Sequence, residues 1–239
     1  MNYFKKNFSI QKTNLLLLIL VTMDIVFVLG HALVIYLIFI RVEFDWSISN
    51  MFLVDYDGGY PEIFQYLKYI LIIISIIYIV YHKKEYNYLS WLLLFILLLF
   101  DDALSFHEQF GGFISERFNY KPMFGLRAQD LGELTYVALF GPLVLLALIL
   151  GYRNGNEKYK KTNLDLVLLF SLFLFFGIVI DMLHVLFEDN RYTKLIMVLL
   201  EDGGEMLALS LLSWYFFFIV FRSEIHNKYI YKVFSKNKV

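Results

Sequence analysis

The sequence predicts an all-α fold: a polytopic transmembrane bundle of six helices, N-in and C-in, forming one integral membrane domain over residues 1–239. Three observations carry this expectation. Apolar residues fill 59% of the 239 positions, charged residues only 18%, and mean hydropathy is +0.62; a soluble domain is usually about 45–50% apolar. Six stretches are each long enough for a bilayer core of about 30 Å, which takes roughly 20 helical residues. The basic residues fall on alternate links between those stretches, as the positive-inside rule requires.

The first stretch, about 14–40, follows Lys5, Lys6 and Lys12. A secretory signal has an apolar core of roughly 7–15 residues before a small-residue cleavage site. Here the run continues to Ile40 with no such site, so it reads as an uncleaved first span. The second, about 62–81, is entered through Asp57-Gly58-Gly59 and Pro61. The third, about 88–107, follows a short basic link and ends in Asp101-Asp102-Ala103-Leu104-Ser105-Phe106-His107-Glu108. A longer link with Gly111-Gly112 and Pro122 leads to the fourth, about 131–151, where Gly141-Pro142 predicts a kink. A basic link precedes the fifth, about 164–187, and the sixth covers about 194–221. The first and last are long enough to tilt or to extend beyond the core.

With the N-terminus inside, 14 of the 21 Lys and Arg residues fall on the cytoplasmic side, in the N-terminal segment, the second and fourth links and the C-terminal tail. The other seven, Lys68 among them, are assigned to the opposite side and its borders. Only four of the 22 acids (Glu85, Glu157, Asp165, Glu224) are cytoplasmic. The rest are external or sit in the spans near their outer ends. The expected location is the cell (inner or plasma) membrane, with membrane lipid as the partner. A net charge of −1 offers nothing to nucleic acid. The absence of cysteine excludes disulfides, iron–sulfur ligation and a thiolate nucleophile.

An ionisable group in the hydrocarbon region costs roughly 2.5–3.5 kcal/mol on insertion scales. Many are placed there. Span one carries Asp24 and His31; span three ends with Asp101, Asp102, His107 and Glu108; span four begins with Asp130 and Glu133. Span five ends with Asp181, His184 and Glu188, and span six begins with Glu201, Asp202 and Glu205. At 100° per residue, Asp181, His184 and Glu188 fall within about 60° of one another. Asp101, Ser105 and Glu108 form a similar stripe, from which His107 points away unless the helix frays. Asp24 and His31, seven apart, share a face.

There is also an internal echo. Asp101 and Glu108 are seven apart, as are Asp181 and Glu188. The following helices open with Asp130-x-Gly132-Glu133 and Asp202-x-Gly204-Glu205. A duplicated helical hairpin, spans three–four and five–six, accounts for this. Such a core suits a carboxylate-rich metal site, since four-helix di-metal proteins converge Glu residues and i, i+3 carboxylate–histidine pairs. The metal candidates are Asp102, His107, Glu133, Asp181, His184 and Glu205, holding a divalent Fe or Mn, or Zn if three histidines converge. Glu108 or Glu201 is the candidate general base. The structural reading of the same residues is milder: Asp24–His31 as an interspan contact, Glu108, Asp130, Glu188 and Glu201 as solvated span ends, and first-turn acids answering the helix dipole.

Asp101-Asp102-x4-His107-Glu108, with Glu201-x3-Glu205-Met206 and the acidic loop leading into Pro61, resembles a family of uncharacterised bacterial multi-pass membrane proteins marked by Asp-Asp/Glu-x4-His-Glu at a span end. The resemblance implies a multi-pass helical fold and no established activity. Alkaline-ceramidase and adiponectin-receptor type hydrolases bind Zn in helical bundles through two histidines four apart, a spacing not found here. Three function classes follow: a metal-dependent enzyme acting on a lipid or lipophilic substrate; a proton- or ion-coupled transporter or channel; and a non-catalytic sensor, assembly or haem-binding module.

Overall fold

The computed structural model describes residues 2–40, 49–186 and 191–221, with side chains from Gln11 onward except 191–192. Helix α1 (Asn2–Phe39) is followed by α2 (Tyr60–Lys83), a 3-10 turn (Tyr86–Tyr88), α3 (Leu89–Leu104), α4 (Phe106–Arg117), α5 (Ala128–Asn154) and α6 (Glu157–Leu174). A π-helical turn (Phe175–Ile180) continues α6 into α7 (Asp181–Leu186), and α8 (Arg191–Phe221) ends the described chain. Among the described residues, six helical segments are long and apolar enough to cross a membrane: Gln11–Phe39, Tyr60–Lys83, Tyr86–Leu104, Ala128–Asn154, Glu157–Leu186 and Thr193–Phe221.

The third span departs from the sequence expectation. It stops at Leu104 rather than at 107, because Ser105 turns left-handed (φ 46°, ψ 44°) and ends α3. A left-handed non-glycine residue costs roughly 1–2 kcal/mol. The Asp101 carboxylate offsets this by accepting the backbone N–H of His107 (3.0 Å), so it caps the new helix α4. The sequence stripe Asp101–Ser105–Glu108 is therefore not a helix face. The frayed alternative holds instead, and the break turns His107 back onto Asp101.

Helix α8 is the axis of the bundle, packed against α1, α2, α6 and the π turn. Its Leu209, Leu212, Phe216 and Ile219 meet Ile72, Ile76 and Ile79 of α2, Trp91 and Phe95 of α3, and Leu166 and Phe173 of α6 in one buried core. That core fills the half of the bundle near the short α2–α3 and α5–α6 connections. Two polar groups there are answered internally: Trp91 Nε1 donates to Asn163 Oδ1 (2.8 Å) and the Tyr159 hydroxyl to the Asn87 carbonyl (3.0 Å). Pro142 lies inside α5, which continues through it.

At mid-bundle a charged pair joins three helices. Lys68 Nζ donates to Asp24 Oδ1 (2.5 Å) and to the Met206 carbonyl (2.9 Å), and Ser210 Oγ donates to Asp24 Oδ2 (2.6 Å). Lys68 is 1% exposed and Asp24 0%, so Lys68 belongs to the interior and not to an outer border as its position in the chain suggested. Its ammonium also lies 4.6 Å from the Phe64 ring centroid. The expected Asp24–His31 stripe separates into two contacts. His31 Nδ1 accepts the Val54 N–H (3.2 Å) and lies 3.7 Å from Asp55 Oδ1, which ties α1 to the α1–α2 connection.

Removing one member of a buried ion pair strands the other, at a cost of about 3–5 kcal/mol. Lys68→Met should therefore lower the thermal midpoint of the detergent-purified protein sharply. Asp24→Asn combined with Lys68→Met should recover most of that loss. Equal losses in the single and double variants would show that the two residues are not coupled.

Candidate functional site

The acids and imidazoles lie at the other end of the bundle, in two lobes joined by a floor. The first lobe is built by the helix break. Asp101, at the end of α3, accepts the His107 backbone N–H, its Nδ1–H (3.2 Å) and the Tyr136 hydroxyl of α5 (3.0 Å). Glu108 lies beside His107, with Oε1 4.0 Å from Nε2, and is itself exposed. Glu133 of α5 accepts Gln129 Nε2 (3.0 Å) and completes the lobe within electrostatic reach of His107. The close approach of α4 to α5 depends on Gly132: a Cβ there would stand 2.0 Å from the Gly111 carbonyl oxygen.

His107 is half-buried and lies beyond the membrane-crossing segments. Its hydrogen bond to Asp101 lifts its pKa to about 9; burial opposes this, and the charges of Asp101, Glu108 and Glu133 add to the rise. The imidazole is thus cationic at neutral pH and forms an ion pair within the acidic lobe.

The second lobe spans the π turn, α7 and α8. His184 Nδ1 and Glu201 Oε2 share a hydrogen bond (2.5 Å), and Asp181 lies within hydrogen-bond reach of the same Glu201 carboxyl. The Nε2 of His184 is buried with no hydrogen-bond partner. Asp202 lies within reach of Glu201, Glu205, Asp181 and Asp55, which brings the α1–α2 connection to this lobe. A π turn is frequent at functional sites, and here it has a steric consequence. Glu205 Oε1 lies so close to the Gly177 backbone that a Cβ would sit 1.8 Å from it.

The lobes meet over Asp102 of α3, Glu205 of α8 and Tyr69 of α2. Asp102 is the first charge neighbour of Glu205, and His107 reaches both. Tyr69 is 0% exposed, and its hydroxyl lies beside Asp102, within electrostatic reach of Glu205. The other acids and both histidines of the two lobes are half-buried apart from Glu108.

The structure thus gathers Asp101, Asp102, His107, Glu133, Asp181, His184, Glu201, Asp202 and Glu205 at one end, with Glu108 at its rim. Asp24 and His31 lie apart, each with its own partner. Asp130 is 1% exposed and taken up in capping α5, accepting the Arg127 backbone N–H (2.7 Å) and its guanidinium (2.8 Å). Glu188 lies outside the described residues. Among the described residues, no three His, Asp or Glu side chains converge on a single point that would hold a metal ion. Tyr69, Tyr136 and Asp55 belong to the arrangement although sequence reasoning passed over them. A tyrosine in a span carries no charge signal, and Lys68, although a cation in an apolar run, was counted with the outer side and its borders.

Two expectations follow. His107 is held above its unfolded value of 6.5, so its contribution to stability is present below that pH and is lost as pH rises through about 9. Thermal midpoints measured across this window should fall more steeply for the wild type than for His107→Gln; parallel curves would contradict the pairing. Gly177→Ala must displace the Glu205 carboxyl or the π turn, at a cost of about 1–3 kcal/mol, whereas Gly112→Ala, where a Cβ meets nothing within 4 Å, should change the midpoint little.

No curated protein and no solved structure matches the chain. A family model described as a domain of unknown function (DUF8692) matches residues 19–221, and the chain belongs to that family.

Proposed function

We propose that this is a cell-membrane enzyme, with both termini in the cytoplasm, whose acid–imidazole centre lies in the outer half of the bilayer and acts on a lipid or lipophilic substrate entering laterally. The observation that carries this reading is the chain Asp181–Glu201–His184, which ends at a buried Nε2 with no partner. A carboxylate on Nδ1 fixes the tautomer and steadies the imidazolium, which leaves Nε2 as the atom that takes a proton from a bound substrate or water. His184 is the proposed base, and Glu201 acts through it. Glu108, beside His107 Nε2, is the proposed base on the other lobe. So many neighbouring acids favour a compensating cation, and a divalent metal, Fe, Mn or Zn, is proposed as that cofactor.

Lateral entry is supported by the helix that carries the chain. Phe175, Val179 and Leu186 expose apolar surface on the same helical run as Asp181 and His184. Conduction is disfavoured by what lies beneath: Ile72, Ile76, Trp91, Phe95, Leu212 and Phe216 seal the opposite half, and its deepest charge, Asp24, is neutralised by Lys68. An ion or proton path needs polar groups throughout. Each hairpin supplies one histidine–carboxylate pair, which supports descent from a duplicated unit. The pairs run through unlike positions, since Asp101 precedes His107 on the same hairpin arm whereas Glu201 answers His184 from the next helix.

The test is a lipid inventory. Protein in nanodiscs of total membrane lipid, supplied with each candidate metal, should convert at least one lipid species by mass spectrometry, and His184→Ala should abolish the change. Unchanged lipids, together with a pH-driven ion flux in liposomes, would replace this reading with transport.

A further inference from the structure

We propose that α4 and the turn after it form an interfacial anchor. The stripe Phe106–Phe110–Phe113 and the turn residue Phe124 dip into the lipid leaflet on the side of the acid–imidazole centre, while Arg117 and Lys121 stay among the headgroup phosphates. This rests on the membrane reading above and is independent of the enzymatic one.

Helix α4 (Phe106–Arg117) falls outside the six membrane-crossing segments, yet one of its faces is apolar. Phe106, Phe110 and Phe113 are spaced four and three apart, so they share a stripe that ends at Arg117. Glu108, Gln109 and Glu116 hold a separate, exposed arc, and Gly111, Ile114 and Ser115 are buried. Phe113 is 61% exposed and Phe106 is exposed too. Such a stripe on an otherwise polar helix marks a surface that meets another apolar phase.

Two contacts set its level. The α4 and α5 backbones meet at Gly111 and Gly132, and Gly132 stands near the end of the crossing segment Ala128–Asn154. The Phe110 ring lies 5.6 Å from Phe140 and 5.7 Å from Tyr136. Phe140 is exposed, as are Leu139 and Leu143 next to it, so the α4 stripe continues the surface that α5 turns to lipid. Helix α4 therefore lies where acyl chains give way to headgroups. An amphipathic helix with phenyl rings on one face suits that level, and long basic side chains reach from it to phosphates.

The turn adds an independent sign. Met123 and Leu126 exchange two backbone hydrogen bonds (3.2 and 3.0 Å) around Phe124 (φ 57°) and Gly125 (φ 84°). Asn, Asp or Gly usually holds the first central position of such a turn, and a bulky residue at positive φ is an outlier. Phe124 is nevertheless 83% exposed, beside exposed Met123. Neither the backbone nor burial within the chain accounts for a phenyl ring there; burial in lipid does. The turn is seated on α7, since a Cβ on Gly125 would stand 2.5 Å from Leu186 Cδ2. Leu186 is exposed and ends the crossing segment Glu157–Leu186, so the turn also borders a lipid-facing surface. Because α4 carries His107 and Glu108 in its first turn, the anchor holds the centre at headgroup level. A lipid there presents its headgroup end to the centre, not its tail ends.

The chain has no cysteine, so single cysteines can carry a nitroxide without background. The test is power-saturation electron paramagnetic resonance of the full chain in vesicles of phosphatidylcholine and phosphatidylglycerol, comparing access of oxygen with that of a water-soluble nickel chelate. Labels at Phe113→Cys and Phe124→Cys should match the label at Leu143→Cys in α5, with oxygen-to-nickel ratios several-fold above those at Glu116→Cys and Lys121→Cys. Water-like ratios at 113 or 124, with a lipid-like ratio at 143, overturn the anchor alone. A water-like ratio at 143 as well would sink the membrane reading itself. Immobilised labels at 113 and 124 that neither reagent reaches would put a protein partner on this surface and overturn the proposal too.

Discussion

A charge inside an apolar bundle must be answered by a group from another helix, and this constraint organises the molecule. Asp24 and Lys68 satisfy it at mid-bundle, with Met206 and Ser210 completing their hydrogen bonds. The pair fastens α1 and α2 to α8, the most buried helix, and thereby sets which residues of α2 and α8 face the space above. Tyr69 follows Lys68 directly, and Glu205 precedes Met206 directly. The register that pairs Lys68 with Asp24 is therefore the register that brings Tyr69 and Glu205 together.

Above that level the same constraint is met differently. There are more acids than basic side chains, and the two imidazoles answer Asp101 and Glu201. In the first lobe the answer required breaking a helix. With Ser105 left-handed, α3 ends and α4 begins, and Asp101 holds both the α4 N-terminus and the His107 ring. In the second lobe the helix is kept but loosened into a π turn, which lets Glu205 lie against the Gly177 backbone while Asp181 and His184 face Glu201. Two local departures from regular helix thus place the two histidines. Below them the core is mainly aromatic and aliphatic, so the acid–imidazole contacts lie at one end.

The match to the DUF8692 family extends over residues 19–221 and so includes most of the first span, the other five and both lobes. The stretch Asp101-Asp102-x4-His107-Glu108 has a structural meaning in this chain. It straddles the α3–α4 break, with the first aspartate as cap and ion-pair partner, the second at the floor of the site, and the histidine and glutamate in the first turn of the next helix.

The sequence alone determined the all-α class and the six apolar segments, because length and hydropathy are properties of each segment taken by itself. It also marked most of the residues that gather at one end, because ionisable groups in apolar runs stand out wherever they are. What it could not decide was pairing. Helical periodicity placed Asp101, Ser105 and Glu108 on one stripe and Asp24 with His31 on another. A left-handed Ser105 undid the first, and separate partners on α2 and on the α1–α2 connection undid the second. Lys68 as the answer to Asp24, Tyr69 as the neighbour of Asp102 and Glu201 as the partner of His184 are contacts between residues 17 to 44 positions apart. Such contacts depend on how helices rotate and slide against one another, and that is fixed only when the whole interior packs.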